Sequence, residues 1–189
     1  MNIIEGVPFS LAMIDPPYPK KKGGSRESRP NQTRRLDYKT MPLECIWMTL
    51  DKDIFRKMTD SPTVFMWTID EFIADTEERM RNRGYKLHAR IIWNKMNGVA
   101  PAFTVRYSHE YLLWLYKSPM MKIDESMRGK LTTVWEEKSR EHSRKPEIAY
   151  SNIEAMFPRA NKIDVFSRQP RDGWSGWGDQ VDYFSKKEI

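Results

Sequence analysis

FSLAMIDPPY, residues 9–18, combines an apolar run with a rigid turn. The segment from Phe9 to Ile14 has the length and composition of a buried β-strand. Pro16 and Pro17 cannot continue the strand, because proline lacks the N–H that a sheet ladder needs. The stretch therefore predicts a strand whose carboxyl end presents a carboxylate, Asp15, and an aromatic ring, Tyr18.

Strand and helix patterns alternate along the rest of the chain. A helix is predicted to begin near Leu43, after Thr40 and Pro42. A second is predicted from Phe72 to Met80, ended by Gly84, and a third opens at Pro146. Further strands are predicted over 63–67, 87–93, 109–116, 132–135 and 162–166. We expect the connection 117–131 to be exposed and to add nothing to the core. The alternation predicts an α/β fold.

Composition sets broad limits on size and partners. A chain of 189 residues with 39% hydrophobic content can bury one substantial core, so we expect a single domain over residues 1–189. The net charge of +6 suits a protein that binds polyanions, although a generally basic surface would give the same total.

Cysteine and histidine usage gives no sign of disulfides or metal. Cys45 is the only cysteine, and His88, His109 and His142 lack metal-ligand spacing, so we expect no metal. The sequence shows neither a signal peptide nor an apolar run of transmembrane length. We therefore expect an intracellular, cytoplasmic protein with no membrane partner.

The Asp-Pro-Pro-Tyr turn has a specific chemical interpretation. An amino group conjugated to an aromatic ring is a poor nucleophile, and the Asp15 carboxylate and the Pro16 carbonyl can accept its two N–H bonds. Pro17 restricts the turn and adds no competing N–H, and Tyr18 can stack on the base. We predict Asp15, Pro16, Pro17 and Tyr18 as catalytic residues. The alternative is an ordinary turn, since all these residue types are common in loops.

The whole chain resembles the MT-A70 family of methyltransferases. The resemblance runs from about Phe9 to Asp182 in ordered blocks: DPPY (15–18), YKTM (38–41), TVFMW (63–67), RGYKLHARIIWNK (83–95), HEYLLW (109–114), REHSRKPEIAYSNIEAMFP (140–158), KIDVFSR (162–168) and WGDQ (177–180). It implies a Rossmann-like S-adenosylmethionine-dependent methyltransferase fold, with a mostly parallel sheet flanked by helices. The motif order is permuted, with DPPY first and the cofactor motif last.

The resemblance also implies a binding site for S-adenosylmethionine. Lys145 would pair with the cofactor carboxylate, and Asp164 would bind the ribose hydroxyls. The cofactor residues implied in this way are Asp15, Lys145, Asp164, Phe166, Arg168, Asp179 and Gln180. Sequence physics agrees, since an acidic side chain at a strand end suits a ribose and a lysine before a helix start suits a carboxylate. Taken singly, Lys145 could be an exposed lysine and Asp164 a capping residue.

Other positions match the surroundings of the target base. By the resemblance these are Tyr38, Trp93, Lys95 and Glu110, although aromatic residues such as Tyr38 and Trp93 are more often part of a core than ligands. Glu110 lies within the apolar strand HEYLLW, where an unpaired carboxylate would be costly. We therefore expect Glu110 either to face a polar pocket or to mark a sheet edge.

Two loops are predicted to lie over the active site. The basic loop 19–39 contains cations that could grip phosphates beside an extruded adenine, and Arg106 belongs to a second loop, 96–108. The predicted substrate contacts in these loops are Lys20, Lys21, Lys22, Arg34, Arg35 and Arg106. A solvated loop without a ligand is the alternative for the basic run.

The chain departs from the family pattern in three places. Tyr18 replaces the usual Trp but keeps a stacking face, and Asp179 replaces the more frequent Asn of GNQ. Only 14 residues precede Asp15, so we expect the family's upstream segment, which contacts the cofactor adenine, to be reduced or absent.

The sequence therefore predicts a methyltransferase that modifies N6 of adenine in DNA, with S-adenosylmethionine as cofactor. DNA is favoured over RNA by analogy with compact phage and bacterial members. The alternatives are an RNA adenosine methyltransferase and a catalytically silent nucleic-acid-binding subunit. A homodimer is compatible with a small catalytic domain that borrows a partner's surface.

Overall fold

The computed structural model describes residues 6–19, 38–96, 105, 107–140 and 144–187. Seven strands are found there: β1 (Phe9–Ile14), β2 (Met58–Thr68), β3 (Lys86–Asn94), β4 (His109–Tyr116), β5 (Val134–Glu136), β6 (Lys162–Val165) and β7 (Trp174–Trp177). The α-helices are α1 (Leu43–Thr49), α2 (Ile73–Asn82) and α3 (Glu147–Met156). A π-helical turn, Leu50–Ile54, continues α1, and short 3₁₀ turns cover Phe55–Lys57, Glu125–Met127 and Ser185–Lys187.

The strands form one sheet in the order β5-β3-β4-β2-β1-β6-β7. The pairs β1–β2, β1–β6, β3–β5 and β6–β7 are parallel, whereas β4 is antiparallel to both β2 and β3. The predicted α/β architecture, with a mostly parallel sheet flanked by helices, is confirmed. β1 and β6 lie far apart in the sequence but pair directly in parallel, so the turn after β1 and the turn after β6 lie side by side.

Both faces of the central strands are buried, which is why their sequences are apolar without alternation. In β1, Ala12 and Ile14 pack into the core beneath α1 and α2, whereas Leu11 and Met13 point to the core on the side of α3. The two cores place the strand ends between fixed layers of side chains, so the turns that follow the strands are held in defined positions.

The connection 117–131 corrects one prediction. Its residues Met121, Ile123, Met127 and Leu131 are partly buried and pack against the core on the α3 side. The Asp124 N–H also donates to the Met156 carbonyl at the end of α3, over 2.8 Å. The segment covers part of the sheet face formed by β3, β4 and β5. Its apolar residues lack helical or strand periodicity, so the sequence pattern did not reveal their burial.

Two strands begin more than one residue away from their predicted starts, and one strand was not predicted. β2 begins at Met58, five residues before the predicted start. Phe9 pairs with Met58 and Leu11 pairs with Thr63, so a register shift in the pairing with β1 extends the strand across the polar segment that contains Pro62. β5 covers residues 134–136 instead of 132–135. β7, with the sequence WSGW, was not predicted, since it is a short edge strand with a glycine inside it.

Two expected absences can be compared with the described residues. No helix in the described part of the chain is long and apolar enough to cross a membrane. No group of three or more potential metal ligands lies together among the same residues.

Candidate active site

The sheet topology brings the predicted site residues together at the carboxyl ends of the parallel strands. The carboxyl ends of the parallel strands β1, β2 and β6 lead to Asp15, Ile69 and Phe166. β4 runs in the opposite direction, so its first residues, including Glu110, lie at the same end of the sheet. Glu110 is there opposite Trp93 of β3. Ligands of open α/β sheets bind beyond the carboxyl ends of the parallel strands. The antiparallel β4 adds the Glu110 carboxylate to this region.

Three backbone hydrogen bonds hold the Asp15–Tyr18 turn. The Asp15 N–H donates to the Val165 carbonyl at 3.1 Å, and the Met41 N–H donates to the Pro17 carbonyl at 2.9 Å. The Pro16 carbonyl accepts the Tyr18 N–H at 2.8 Å. A carbonyl oxygen has two lone pairs, so the Pro16 oxygen keeps one acceptor position. Its predicted contact with a target amino group stays a prediction.

The side chain of Tyr18 is held in one orientation. Its hydroxyl lies 3.2 Å from the Trp67 carbonyl and 3.1 Å from the Thr76 hydroxyl. Phe72 stacks on one face of the ring, with 4.8 Å between centroids and 10° between planes. Burial raises the pKa of Tyr18 to about 12, so the phenol stays neutral. A base could stack only on the other face of the ring, and this predicted contact remains untested.

Four charged side chains alternate in sign across the floor of the site. The Lys145 ammonium lies 3.0 Å from the Asp15 carboxylate and 2.9 Å from the Glu110 carboxylate, and Lys95 lies 2.7 Å from the other oxygen of Glu110. Their side chains are 13–23% exposed. Glu110 therefore faces a polar pocket, one of the two arrangements expected from its sequence context, and β4 is an interior strand, not an edge strand.

Two tryptophans lie beneath these charges. The Lys145 ammonium is 5.3 Å from the ring centroid of Trp67, and the Lys95 ammonium is 5.5 Å from that of Trp93. Trp67 is 1% exposed and Trp93 3% exposed, and their rings meet edge to face. Aromatic faces attract cations, so these rings stabilise the two ammonium groups where little water reaches them.

Burial and charge shift the titration of this network. Burial raises the pKa of Asp15, and Glu110 adds to that effect, while Lys145 opposes it. Burial alone would raise the pKa of Glu110, but Lys145 and Lys95 outweigh it and lower the pKa to about 2. Burial alone would lower the pKa of Lys145, but Asp15 and Glu110 raise it instead. Glu110 and Lys145 thus stay charged at neutral pH, and Asp15 is the carboxylate that protonates more readily.

A capping carboxylate fixes the position of Lys145. The two carboxylate oxygens of Glu137 accept the N–H groups of Glu147 and Ile148 at 2.9 and 2.8 Å, which satisfies the first turn of α3. The Glu137 carbonyl also accepts the indole N–H of Trp93 at 2.8 Å. Sequence reasoning missed Glu137, because it caps the helix from ten residues away.

Asp164 lies behind the main cavity. It is 3% exposed, accepts a hydrogen bond from the Tyr150 hydroxyl at 3.1 Å and borders a smaller cavity of about 30 Å³. Burial raises its pKa to about 7. In this position Asp164 orients Tyr150, and its predicted contact with ribose hydroxyls would require the side chain to turn toward the main cavity.

The turn after β6 holds the other predicted cofactor residues. Phe166 has a left-handed backbone, with φ of 60°, and its ring meets Trp177 edge to face. The Arg168 guanidinium lies 5.2 Å from the ring centroid of Tyr38 and 4.0 Å from that of Tyr183. Tyr38, predicted beside the target base, is therefore in contact with a predicted cofactor residue. Both positions border the same cavity.

Gly178 permits the close approach of this turn to β7. Its φ is +148°, and a Cβ there would lie 3.2 Å from the Phe166 Cα. We expect Gly178→Ala to lower the free energy of unfolding by about 1–3 kcal/mol, because it adds backbone strain and a clash with main-chain atoms. Urea denaturation provides the measurement. Gly129→Ala is the control, since Gly129 has φ +72° but open space around it. Equal losses for the two variants would contradict the role of close packing.

One cavity of about 1090 Å³ connects these groups. It exceeds the range of about 300–1,000 Å³ that is usual for a single small ligand, so it has room for two. Of the predicted residues with described positions, only Asp164 does not border it. Those that do are Asp15, Pro16, Pro17, Tyr18, Tyr38, Trp93, Lys95, Glu110, Lys145, Phe166, Arg168, Asp179 and Gln180.

Other lining residues were not predicted as site residues. Trp67 ends a predicted strand, and Trp177 lies in the WGDQ block, so the sequence carried a signal for both. Met41 and Arg144 lie in the blocks 38–41 and 140–158 and so carried the same kind of signal, whereas the sequence gives no comparable signal for Thr68. The predicted contacts Lys20, Lys21, Lys22, Arg34, Arg35 and Arg106, and most of the two predicted loops, lie outside the described residues.

Comparison with solved structures shows the fold. The crystal structure of an M1.HpyAVI-SAM complex superimposes with a TM-score of 0.64 and covers 97% of this chain and 90% of that chain, at 16% sequence identity. The sheet and its helices therefore form a Rossmann-like methyltransferase fold, as predicted.

Sequence comparison finds relatives that are longer than this chain. An N(6)-adenosine-methyltransferase MT-A70-like protein of Arabidopsis thaliana is 28% identical over 62% of this chain and 18% of its own length. The type II methyltransferase M.MunI of Mycoplasma sp is 25% identical over 68% of this chain and 54% of its own length. The chain thus spans about half or less of the length of these relatives. The MT-A70 family profile matches residues 9–180, and the chain belongs to the MT-A70 family.

Proposed function

We propose that this chain is an S-adenosylmethionine-dependent methyltransferase that modifies N6 of adenine in DNA. The observation that carries the proposal is the Asp15 carboxylate, which borders a cavity large enough for two ligands, at the end of a proline-stiffened strand and beside the Tyr18 ring. Family membership supports the same chemistry.

The target side of the site would activate the amino group. The Asp15 carboxylate and the remaining lone pair of the Pro16 carbonyl would accept the two N6–H bonds, which draws the nitrogen lone pair out of conjugation with the ring. Tyr18 would position the adenine through the ring face that Phe72 leaves uncovered. The proton that leaves the nitrogen would pass to Asp15 and then to water in the open cavity.

The other side of the site fits the cofactor. Lys145 has three N–H donors, and Asp15 and Glu110 engage two of them. The third could bind the methionine carboxylate. Phe166 and Trp177 offer apolar surface for the adenine, and Asp179 a carboxylate for the ribose hydroxyls. When bound, S-adenosylmethionine supplies an electrophilic methyl group on a sulfonium sulfur.

DNA is proposed over RNA by analogy with compact phage and bacterial members of the family. Coverage does not separate the two substrates, because the chain covers 54% of a type II methyltransferase and 48% of an N6-methyladenosine RNA methyltransferase of Pyricularia oryzae. The net charge of +6 suits either polyanion. The predicted phosphate contacts in the loops 19–39 and 96–108, the single-domain organisation and the homodimer stay proposals. The charged network argues against a silent subunit, which has no use for a buried carboxylate aligned in this way.

The nucleic-acid preference can be tested with matched substrates. Single- and double-stranded DNA and RNA of identical base sequence would be incubated with the protein and methyl-tritiated S-adenosylmethionine. We expect label in DNA at a rate at least tenfold above that in RNA. Label mainly in RNA would overturn the DNA assignment. No label in either, with no heat of cofactor binding, would favour a silent subunit.

A further inference from the structure

The charged network contains one ion pair more than direct chemistry at Asp15 needs. Asp15 and Lys145 are the residues assigned to the target amino group and the cofactor. Glu110 lies on the far side of Lys145, 2.9 Å away, and Lys95 lies 2.7 Å beyond it. Lys95 therefore touches neither Asp15 nor Lys145 in any described contact, yet it completes the alternation of charge.

We propose that Lys95 is a positioning residue that acts through Glu110: it neutralises Glu110, so that Lys145 remains available to Asp15 and to the cofactor carboxylate. The proposal rests on the function proposed above. It assigns Lys95 and Glu110 an electrostatic role at the catalytic carboxylate, in place of the contact with the target base that the sequence predicts.

The balance of charge among the four groups explains the role of Lys95. Lys145 is almost equally close to Asp15 and Glu110, so the two carboxylates compete for one ammonium. Lys95 supplies the second cation, and the four groups then sum to zero. Without Lys95, one cation would serve two carboxylates, and the excess negative charge would favour protonation of Asp15. Without Glu110, the two lysines would stabilise the Asp15 anion instead.

Geometry supports the assignment of Lys95 to Glu110. Its backbone is tied on both sides, since its N–H donates to the Ser108 carbonyl at 2.9 Å and its carbonyl accepts the Ser139 N–H at 3.1 Å. The Trp93 ring lies 5.5 Å from its ammonium. The backbone hydrogen bonds and the Trp93 ring thus hold the Lys95 ammonium beside Glu110. A substitution of Lys95 can therefore remove its positive charge without disturbing the Asp15 turn.

Other ionisable groups also surround Asp15 and stay constant in the test. They belong to its own turn, to the segment before α3, to α3, and to β6 with the turn that follows it. These groups are Tyr18, Arg144, Lys145, Tyr150, Asp164 and Arg168.

The test uses substitutions with opposite expected effects. In single-turnover methyl transfer, the rate falls at low pH as Asp15 is protonated. We expect Lys95→Met to move this acid limb up by about one pH unit, because Glu110 loses its counter-ion. We expect Glu110→Gln to move it down. The double variant should return to within about 0.3 unit of the original protein, and Lys95→Arg should keep the limb in place.

A second readout separates this proposal from the proposed function. The carboxyl ¹³C resonance of Asp15, assigned by its loss in Asp15→Asn, can be titrated in the protein without substrate. The same opposite shifts are expected there, even if the chain transfers no methyl group to DNA or RNA. Shifts of the same sign, or unchanged titration with only a raised KM for nucleic acid, would overturn the proposal and favour direct contact with the base.

Discussion

Asp15→Asn is expected to reduce methyl transfer to nucleic acid about a thousandfold, at the upper end of what removal of one stabilising group from an active site costs. The amide has the size of the carboxylate but lacks its charge, and its NH2 group would point a donor where the target amino group needs an acceptor. The measurement is the single-turnover rate with labelled cofactor, at saturating protein.

Control variants separate chemistry from folding. Asp60→Asn changes an exposed carboxylate near the beginning of β2, whereas the site lies beyond the other end of that strand. This variant should leave the rate unchanged. The loss in Asp15→Asn should occur with a thermal unfolding transition close to that of the unchanged protein. A folded Asp15→Asn protein with an undiminished rate would refute the role of Asp15.

Lys145→Met is expected to destabilise the protein by about 3 kcal/mol at pH 8 and also to remove methyl transfer. The substitution removes the cation that lies between the Asp15 and Glu110 carboxylates, and Lys95 remains in direct contact with Glu110. Their pKa values in the folded state then rise above those in the unfolded chain. Such a rise makes the folded state less stable as pH increases through the folded pKa values. The loss in the free energy of unfolding should therefore be smaller at pH 5 than at pH 8.

Urea denaturation at the two pH values tests this expectation. Glu110→Gln in the Lys145→Met background should restore part of the stability at pH 8, because one of the two carboxylates is then neutral. Lys130→Met, at an exposed position, is the matched control and should have little effect. An equal loss at both pH values, with no recovery from Glu110→Gln, would mean that Lys145 contributes packing instead of charge.

The sequence predicted those parts of the fold that local patterns determine. β4 has the predicted bounds, His109–Tyr116, and β1 has the predicted apolar run. β7 and the start of β2 were missed, because their pairing depends on neighbouring strands and not on their own composition. The segment 117–131 was predicted to be exposed from Pro119, Gly129 and its lysines, yet four of its apolar residues pack against the core and cover part of one face of the sheet.

The residues of the candidate site could be identified from the sequence, but the contacts that orient them could not. The DPPY turn and the resemblance to a family identified residues that the sheet does bring to one cavity, including Asp15, Lys145 and Glu110. The contacts that orient them come from residues distant in sequence. Glu137 caps the helix that follows Lys145, and Phe72 stacks on Tyr18. No local pattern encodes such contacts, and the ion pairs of Glu110 became visible only in three dimensions.

The most direct test of the account is to identify the methylated nucleoside. The protein would be incubated with methyl-tritiated S-adenosylmethionine and unmethylated plasmid DNA, and the DNA would be digested to nucleosides and separated. We expect label in N6-methyldeoxyadenosine with the unchanged protein and none with Asp15→Asn. Label in a different nucleoside, or equal label with Asp15→Asn, would contradict it.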